Sequence, residues 1–293
     1  MHKLKNFFIV LLMMISASLG AAKAYLDHRL HYELDTSIHK IADKVTIEYT
    51  DIYTSLLGSV IIDNLHLTTP NYPPIQVDMV TLYKAYQFYD VNRLPQFMQI
   101  ALKGVQFQLS DTAAPVPILM SAFGYAPYYL TPRELRGLGY ASLNADINLD
   151  IKSPGKNISL LGNINAYAWG ELQLSVDLNN VPAPALFSKA KSQMQLTEFI
   201  VTYTNKGLVN QVFTWLAQRN KMAIGNFKQT LLAKLKKDVH QARLTLDASV
   251  LSSIERFIKS PTQLTIHLQP SSPITINTLF QTSPSRLGLK LGG

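Results

Sequence analysis

Between residues 141 and 181, apolar and polar residues alternate through three consecutive runs, and this period of two decides what the chain is able to build. Leu143, Ala145, Ile147, Leu149 and Ile151 fall on one side of an extended strand, with Asn144, Asp146, Asn148, Asp150 and Lys152 on the other. Ser153-Pro154-Gly155-Lys156 supplies a turn, and Ile158, Leu160, Gly162, Ile164 and Ala166 return along the same apolar side. After Trp169-Gly170, a third run sets Leu172, Leu174, Val176 and Leu178 against Glu171, Gln173, Ser175 and Asp177. Three such runs joined by short turns predict an antiparallel meander with one apolar and one polar face. The apolar face has to meet a helix layer, a second sheet or a lipid.

The flanking segments extend the same pattern. Alternation begins at Val45 to Tyr49 and resumes over Val60 to Leu67, Ile75 to Leu82 and Gln99 to Leu109, with a break at Asn71-Tyr72-Pro73-Pro74. Within the last run the apolar phase slips by one residue at Gly104, which predicts a bulge. Tyr83 to Phe97 reads as a short helix, Ala113 to Pro117 as a linker and Phe123 to Arg136 as a crossover. A further strand, Gln195 to Tyr203, precedes a change to helical period. Leu208, Val209, Val212, Phe213 and Leu216 mark one helix and Ile224, Phe227, Leu231, Leu235 and Val239 a second, so that helices near 206–239 are expected to pack on the sheet. Arg243 to Ala248 reads as a strand, and 249–259 as a helix capped by Ser249. Gln263 to Leu268 and Ile274 to Phe280 are expected to close the sheet, leaving 282–293 as a loose tail.

At the N-terminus, residues 7 to 22 (FFIVLLMMISASLGAA) form one apolar run behind His2, Lys3 and Lys5. Its length suits a signal-peptide core and falls somewhat short of the roughly 20 residues of a spanning helix. Ala22-Lys23-Ala24 fits cleavage before Tyr25, whereas Leu26, Leu30, Leu34, Ile38 and Ile41 carry a helical stripe straight onward. Residues 1–24 are therefore a signal anchor or a signal peptide, and 25–44 an amphipathic helix. Residues 45–281 form a β-rich domain outside the cytoplasm. The expected location is the inner membrane, single pass, with the bulk in the periplasm; the alternative is a cleaved, soluble periplasmic or secreted protein. The chain has no cysteine, so its stability has to come from a core of its own. A net charge of +8 suits anionic neighbours, and the export signal favours membrane lipid over nucleic acid.

Catalytic patterns are sparse. There is no G-x-S-x-G and no phosphate-binding glycine loop, since Gly137-Leu138-Gly139 lacks the third glycine. Asp146-x-Asn148-x-Asp150 lacks the later glycine and glutamate of a calcium loop. His28, His31, Asp35 and His39 share one helix face and form a weak metal-binding candidate; the wet side of an amphipathic helix reads the same way. No cofactor is expected. Arg219, Lys221, Lys228, Lys234, Lys236 and Lys237 make a cationic patch suited to an anionic surface. Trp169, Trp215, Tyr83, Tyr86, Phe88 and Tyr89 are candidates for an interfacial aromatic belt, or for core.

Several stretches resemble uncharacterised Gram-negative envelope proteins and, more distantly, the AsmA-like group. They are Gly58-Ser59-Val60-Ile61-Ile62-Asp63-Asn64-Leu65, the segment from Leu94-Pro95 to Gly104-Val105, Leu138-Gly139-Tyr140 before the meander, and Ile266 to Ile276. The resemblance implies a membrane anchor and a periplasmic, curved β-sheet whose apolar concave face carries or shelters acyl chains. The expectation is an α+β protein: an N-terminal membrane helix, then a large curved, mainly antiparallel sheet with C-terminal helices packed on it. It is expected to be non-enzymatic and to bind lipid through Leu143, Ile147, Leu149, Leu160, Ile164, Leu172, Leu174 and Val176. The competing expectations are a scaffold that binds other envelope proteins and a metal-dependent enzyme. For the eight lipid candidates, an ordinary core closed by the C-terminal helices is the plainer alternative.

Overall fold

A computed structural model describes residues 23–32, 35–36, 38, 45–55, 57–69, 72–85, 96–110, 116–119, 128–182, 193–242 and 246–292. Residues 23–32 are helical (α1). The strands are β1 (Thr46–Glu48), β2 (Asp51–Thr54), β3 (Val60–Thr69), β4 (Tyr72–Tyr83), β5 (Phe97–Gln108), β6 (Val116–Leu119) and β7 (Tyr128–Leu130). A short helix α2 (Pro132–Gly137) leads into β8 (Ser142–Lys152), β9 (Ile158–Ala166), β10 (Gly170–Asn179) and β11 (Gln195–Asn205). Three longer helices follow, α3 (Leu208–Arg219), α4 (Ile224–Gln241) and α5 (Ala248–Lys259), then β12 (Gln263–Leu268), β13 (Ile274–Thr275) and β14 (Leu289–Gly292).

Among the described residues, twelve strands form one sheet in the order β1-β3-β4-β5-β8-β9-β10-β11-β12-β14, with β2 also on β3 and β13 also on β11. Every pairing is antiparallel. Neighbours in the sheet follow chain order, the usual outcome when consecutive elements lie side by side. Two excursions that carry their own described secondary structure interrupt it. The β6–β7 hairpin and α2 lie between β5 and β8, and α3 to α5 lie between β11 and β12. The class is α+β, dominated by a large antiparallel sheet.

The slip at Gly104 is a real irregularity. The β5–β8 register shifts between Leu102 and Val105, Gly104 adopts φ +62°, and its N–H donates to Asp146 Oδ1 at 2.9 Å. The bulge keeps Ile100, Leu102, Val105 and Phe107 opposite Leu149, Ile147, Ala145 and Leu143, so both strands present their apolar residues to one side.

The helices do not blanket that side. Their core joins Val212, Phe213, Leu216 and Ala217 of α3 to Phe227, Leu231 and Leu232 of α4 and Ile258 of α5. Leu130, Leu135, Tyr140, Leu109, Leu138 and Trp169 join it from β7, α2 and the strand ends of β5, β8 and β9. The helical core thus sits at one end of the sheet. Helix α5 packs along β12 and β14, with Phe257 edge-on to Tyr203 at 6.4 Å and Ser253 Oγ donating to the Leu291 carbonyl at 2.9 Å. Helix α2 enters through a capping box: Glu134 N–H donates to Thr131 Oγ1 at 3.2 Å, and Thr131 N–H donates to Glu134 Oε2 at 2.7 Å.

Several local expectations are corrected. Asp247, not Ser249, caps α5, accepting from the Ser249 N–H at 2.8 Å; a carboxylate there also favours the positive end of the helix. Ala248 belongs to that helix rather than to a strand, and 243–245 lie outside the described residues. Ile274 to Phe280 yields a two-residue strand and then a 3-10 helix, Ile276–Gln281. The supposed loose tail contributes β14, which pairs with β12 over Leu268↔Leu289 to Thr265↔Gly292. Strand β4 begins at Tyr72 and runs through both prolines, where the β3–β4 register shifts and the missing N–H groups leave no regular ladder unfilled. Val116 and Pro117, placed in a linker, start β6. Most of the expected helix from Tyr83 to Phe97 lies outside the described residues. So does the apolar run 7–22; among the described residues no helix is long and apolar enough to cross a membrane.

Candidate functional site

Register places all eight lipid candidates on one face. Leu149 pairs with Gly162, Gly162 with Leu174, Leu174 with Val201, Val201 with Ile266 and Ile266 with Leu291. In the other direction Leu149 pairs with Ile100, Ile100 with Leu82 and Leu82 with Val60. This row crosses nine strands without a polar side chain, a span of roughly 40 Å at the usual strand spacing. A second row runs through Ile147, Ile164 and Leu172 to Tyr203 and Leu264. A third runs through Ile151, Leu160 and Val176 to Phe199, Leu268 and Leu289. Leu143 stands opposite Phe107 at the helical end.

Burial separates this face from the core. All eight candidates are half-buried, and none belongs to the helical cluster. Fully covered positions on the face include Ala145 at 0% and Ala166 at 7% exposed, continued by Val105 and Val77 on β5 and β4, and the flanking Ile52 of β2 and Leu196 of β11. The eight residues thus lie outside the fully buried helical cluster. Helices α3 and α4 pack against each other, while α5 lies along β12 and β14.

The reverse face is polar. Asn148, Asn163, Gln173, Thr202 and Thr265 form a cross-strand row, with Thr202 Oγ1 and Thr265 Oγ1 3.0 Å apart. Asn163 and Gln173 side-chain amides both donate to Glu171 Oε1, at 2.9 and 3.1 Å, and hold that carboxyl below its usual range. Ser159 donates to Asp177, and His267 Nε2 lies 2.8 Å from Glu198 Oε1. A shallow depression of about 290 Å³ here is lined by Leu161, Gly162, Leu174 and Ile200 among polar neighbours such as Asn163 and Thr202. Asp150 Oδ1 is shielded there without a hydrogen-bond partner.

The metal candidates do not assemble among the described residues. His31 Nδ1 lies 3.0 Å from the Asp27 carbonyl and its Nε2 3.6 Å from Asp51 Oδ1, Asp35 accepts from the Tyr49 hydroxyl at 2.7 Å, and His28 is exposed. His39 lies outside the described residues. No group of three or more metal-ligating side chains is found among those described. Burial and the Asp35 bond push the Tyr49 hydroxyl up to about 12.

The cationic patch is partly spoken for by its own helices. Arg219 sits 3.3 Å from Glu134 Oε1 and stacks over Trp215 at 4.8 Å and Tyr129 at 5.3 Å. Lys236 and Lys259 share Glu255, at 3.0 and 2.8 Å, and together they hold its carboxyl below the usual range. Lys228 donates to the Lys259 carbonyl at 2.8 Å. Lys234 is half-buried, whereas Lys221 and Lys237 are exposed. Trp169 packs edge-on against Tyr140 at 5.2 Å, and Trp215 borders the helical core, so the two tryptophans are packing residues. Tyr83 is exposed, while Tyr86, Phe88 and Tyr89 lie outside the described residues.

The lipid candidates lie on β8–β10, and the structure continues their apolar face to β3 on one side and β14 on the other. The signal was present in Ile75 to Leu82 and Gln99 to Leu109; only pairing shows that these runs are in phase with Leu149. No curated protein matches the chain. A family described only as an uncharacterized protein matches residues 163–292, from within β9 to the end of β14.

Proposed function

We propose that this chain is a membrane-anchored protein of the bacterial envelope that shelters acyl chains on the one-sided apolar face of its sheet. The supporting observation is the row from Val60 to Leu291, apolar across nine strands and only half-buried at Leu149 and Leu174. An acyl chain laid across such a face leaves water at about 0.8 kcal/mol per methylene. The polar reverse face stays solvated, and the helices cover the apolar face only in part, where Phe257 of α5 meets Tyr203, leaving Leu149 and Leu174 half-buried. The apolar run 7–22 is the anchor in this reading, with the sheet in the periplasm and no chemistry performed on the lipid.

The full chain is purified from bacterial envelopes in mild detergent and examined by native mass spectrometry, with organic extraction of whatever it retains. Phospholipid held by the wild type and lost from Leu149→Asp and Leu174→Asp, with the fold intact, is the expected result. A folded, lipid-free wild type, or equal lipid on both variants, would sink the proposal. A scaffold role is the second reading, favoured by the outer edge of β14, which pairs with no further strand among the described residues. It predicts a defined protein complex after crosslinking and no retained lipid.

A further inference from the structure

Leu57 is the most exposed large hydrophobic side chain among the described residues, at 86%. It stands at the tip of the β2–β3 hairpin, a tight turn closed by Ser55 N–H to the Ser59 carbonyl at 2.8 Å and Gly58 N–H to the Ser55 carbonyl at 3.0 Å. Ala85 N–H donates to the Gly58 carbonyl at 2.9 Å, so the tip is fixed to the exit of β4, where Tyr83 and Lys84 are exposed. A single exposed leucine is ordinary on a protein surface. Its position relative to α1 is not.

Helix α1 runs antiparallel along β2, with its N-terminus toward that tip. Tyr49 donates to Asp35 at 2.7 Å, His31 lies 3.6 Å from Asp51, and Asp27 Oδ1 accepts from both N and Oγ1 of Thr54 at 2.6 Å. One turn further back, Lys23 Nζ donates to Asp27 Oδ2 at 2.7 Å and lies 5.8 Å from the Tyr53 ring. The apolar run 7–22 ends immediately before Lys23. The chain therefore passes from that run into the sheet at the end where Leu57 projects. Tyr25 and Leu26, 65% and 49% exposed, lie on the first turns of the same helix.

We infer that the β2–β3 hairpin end is a bilayer-contact surface, with Leu57 entering the headgroup–acyl boundary beside Tyr25, Leu26 and Tyr83, and with Lys23 and Lys84 at anionic lipid phosphates. Apolar and aromatic tips flanked by lysine are the composition that a membrane interface selects. This rests on the reading that residues 7–22 hold the chain at a membrane. It goes further in orienting the sheet: β3 to β5, of 10 to 12 residues, stand between the bilayer and the helical core. At about 3.3 Å per residue that core lies roughly 35–40 Å away. The patch around Arg219 and Lys237 then points away from this bilayer, and the apolar face opens along a path leading up from it.

The chain has no native cysteine, so a single introduced thiol reports one place. Full-length Leu57→Cys and Tyr167→Cys, the latter at the β9–β10 turn on the opposite end, are labelled with an environment-sensitive NBD probe. Each is reconstituted into vesicles of phosphatidylethanolamine with minority phosphatidylglycerol, and folding is checked by near-ultraviolet dichroism. The probe at position 57 is expected to shift to the blue and be quenched by lipid spin-labelled near the glycerol, while that at 167 keeps its aqueous emission. Aqueous emission at both positions from chains that float with the vesicles overturns the contact and leaves the anchor standing. Quenching at 167 alone reverses the orientation and also overturns it. Chains that fail to float remove the anchor and this contact together, whereas lipid on the sheet face is read separately by extraction.

Discussion

Leu149 and Leu174 flank Gly162 across three paired strands, and a methyl group built on that glycine would lie 3.8 Å from Leu149 Cδ1 and 3.5 Å from Leu174 Cβ. The apolar row is notched at its centre, with room for one more carbon but no demand for glycine geometry. Gly162→Ala should keep or raise stability by about 0.5–1 kcal/mol, because alanine gives up less backbone freedom. Gly162→Phe should fill the notch and reduce retained lipid without unfolding the chain. Thermal unfolding paired with lipid extraction reads both variants; unchanged lipid on the phenylalanine variant would place the acyl chain elsewhere.

The helical core and the apolar face should respond differently to truncation. Phe227 is 0% exposed and tilted against Phe213 at 6.3 Å, so Phe227→Ala should cost about 3–5 kcal/mol. Leu174 is half-buried, and Leu174→Ala should cost about 1 kcal/mol, since much of its surface already meets solvent. Urea titrations of the two variants make the comparison; equal losses would show that Leu174 is in a closed core after all.

Gly104 is a position where the backbone does demand glycine. Its φ is +62°, and an added Cβ would collide with the Asp78 side chain on the neighbouring strand. Gly104→Ala should destabilise by about 1–3 kcal/mol. Combining it with Asp78→Ala should recover the steric share while leaving the dihedral share, which denaturant midpoints of the two single variants and the double variant would separate.

The Thr131–Glu134 capping box sets an acid limit on α2 and its neighbours. Burial works to raise the Glu134 carboxyl, but hydrogen bonds from Thr131 and the Arg219 guanidinium outweigh it and hold the group below its usual 4.5. A carboxyl lowered in the folded state stabilises above its unfolded value and loses that contribution as pH falls through the folded one. Glu134→Gln should therefore lose up to about 1 kcal/mol at neutral pH, discounted for a partly exposed ion pair, and lose less than wild type on going below about pH 4.5. Melting temperatures from pH 7 to pH 3 test this; parallel curves would mean that the box contributes nothing through charge.

Much of the sheet was legible because its information is local. The alternation of Leu143 to Ile151 and of Leu172 to Leu178 fixes strand identity and face at once, and the slip at Gly104 announces its bulge, since a period of two tolerates no other reading of adjacent apolar phases. The helices at Leu208 and Ile224 were equally plain from their stripes. The structure departs from the pattern where a segment is too short for its period to decide: Asp247 rather than Ser249 caps α5, the alternating Ile274 to Phe280 turns into 3-10 helix after Thr275, and the brief Leu289-Lys290-Leu291 alternation pairs with β12 rather than trailing as a tail.

By itself the sequence determined that this chain carries a leader-like apolar run, a one-sided antiparallel sheet and amphipathic helices to set beside it, because hydrophobic period is a property of neighbours along the chain. Only the tertiary structure decided that the helices gather at the sheet's end, that Val60 and Leu291 lie on one continuous row, and that Leu57 projects where α1 begins. Those relations depend on which strands pair and on where long excursions return. Both are set by packing between residues far apart in the chain, which no local pattern of apolar and polar residues encodes.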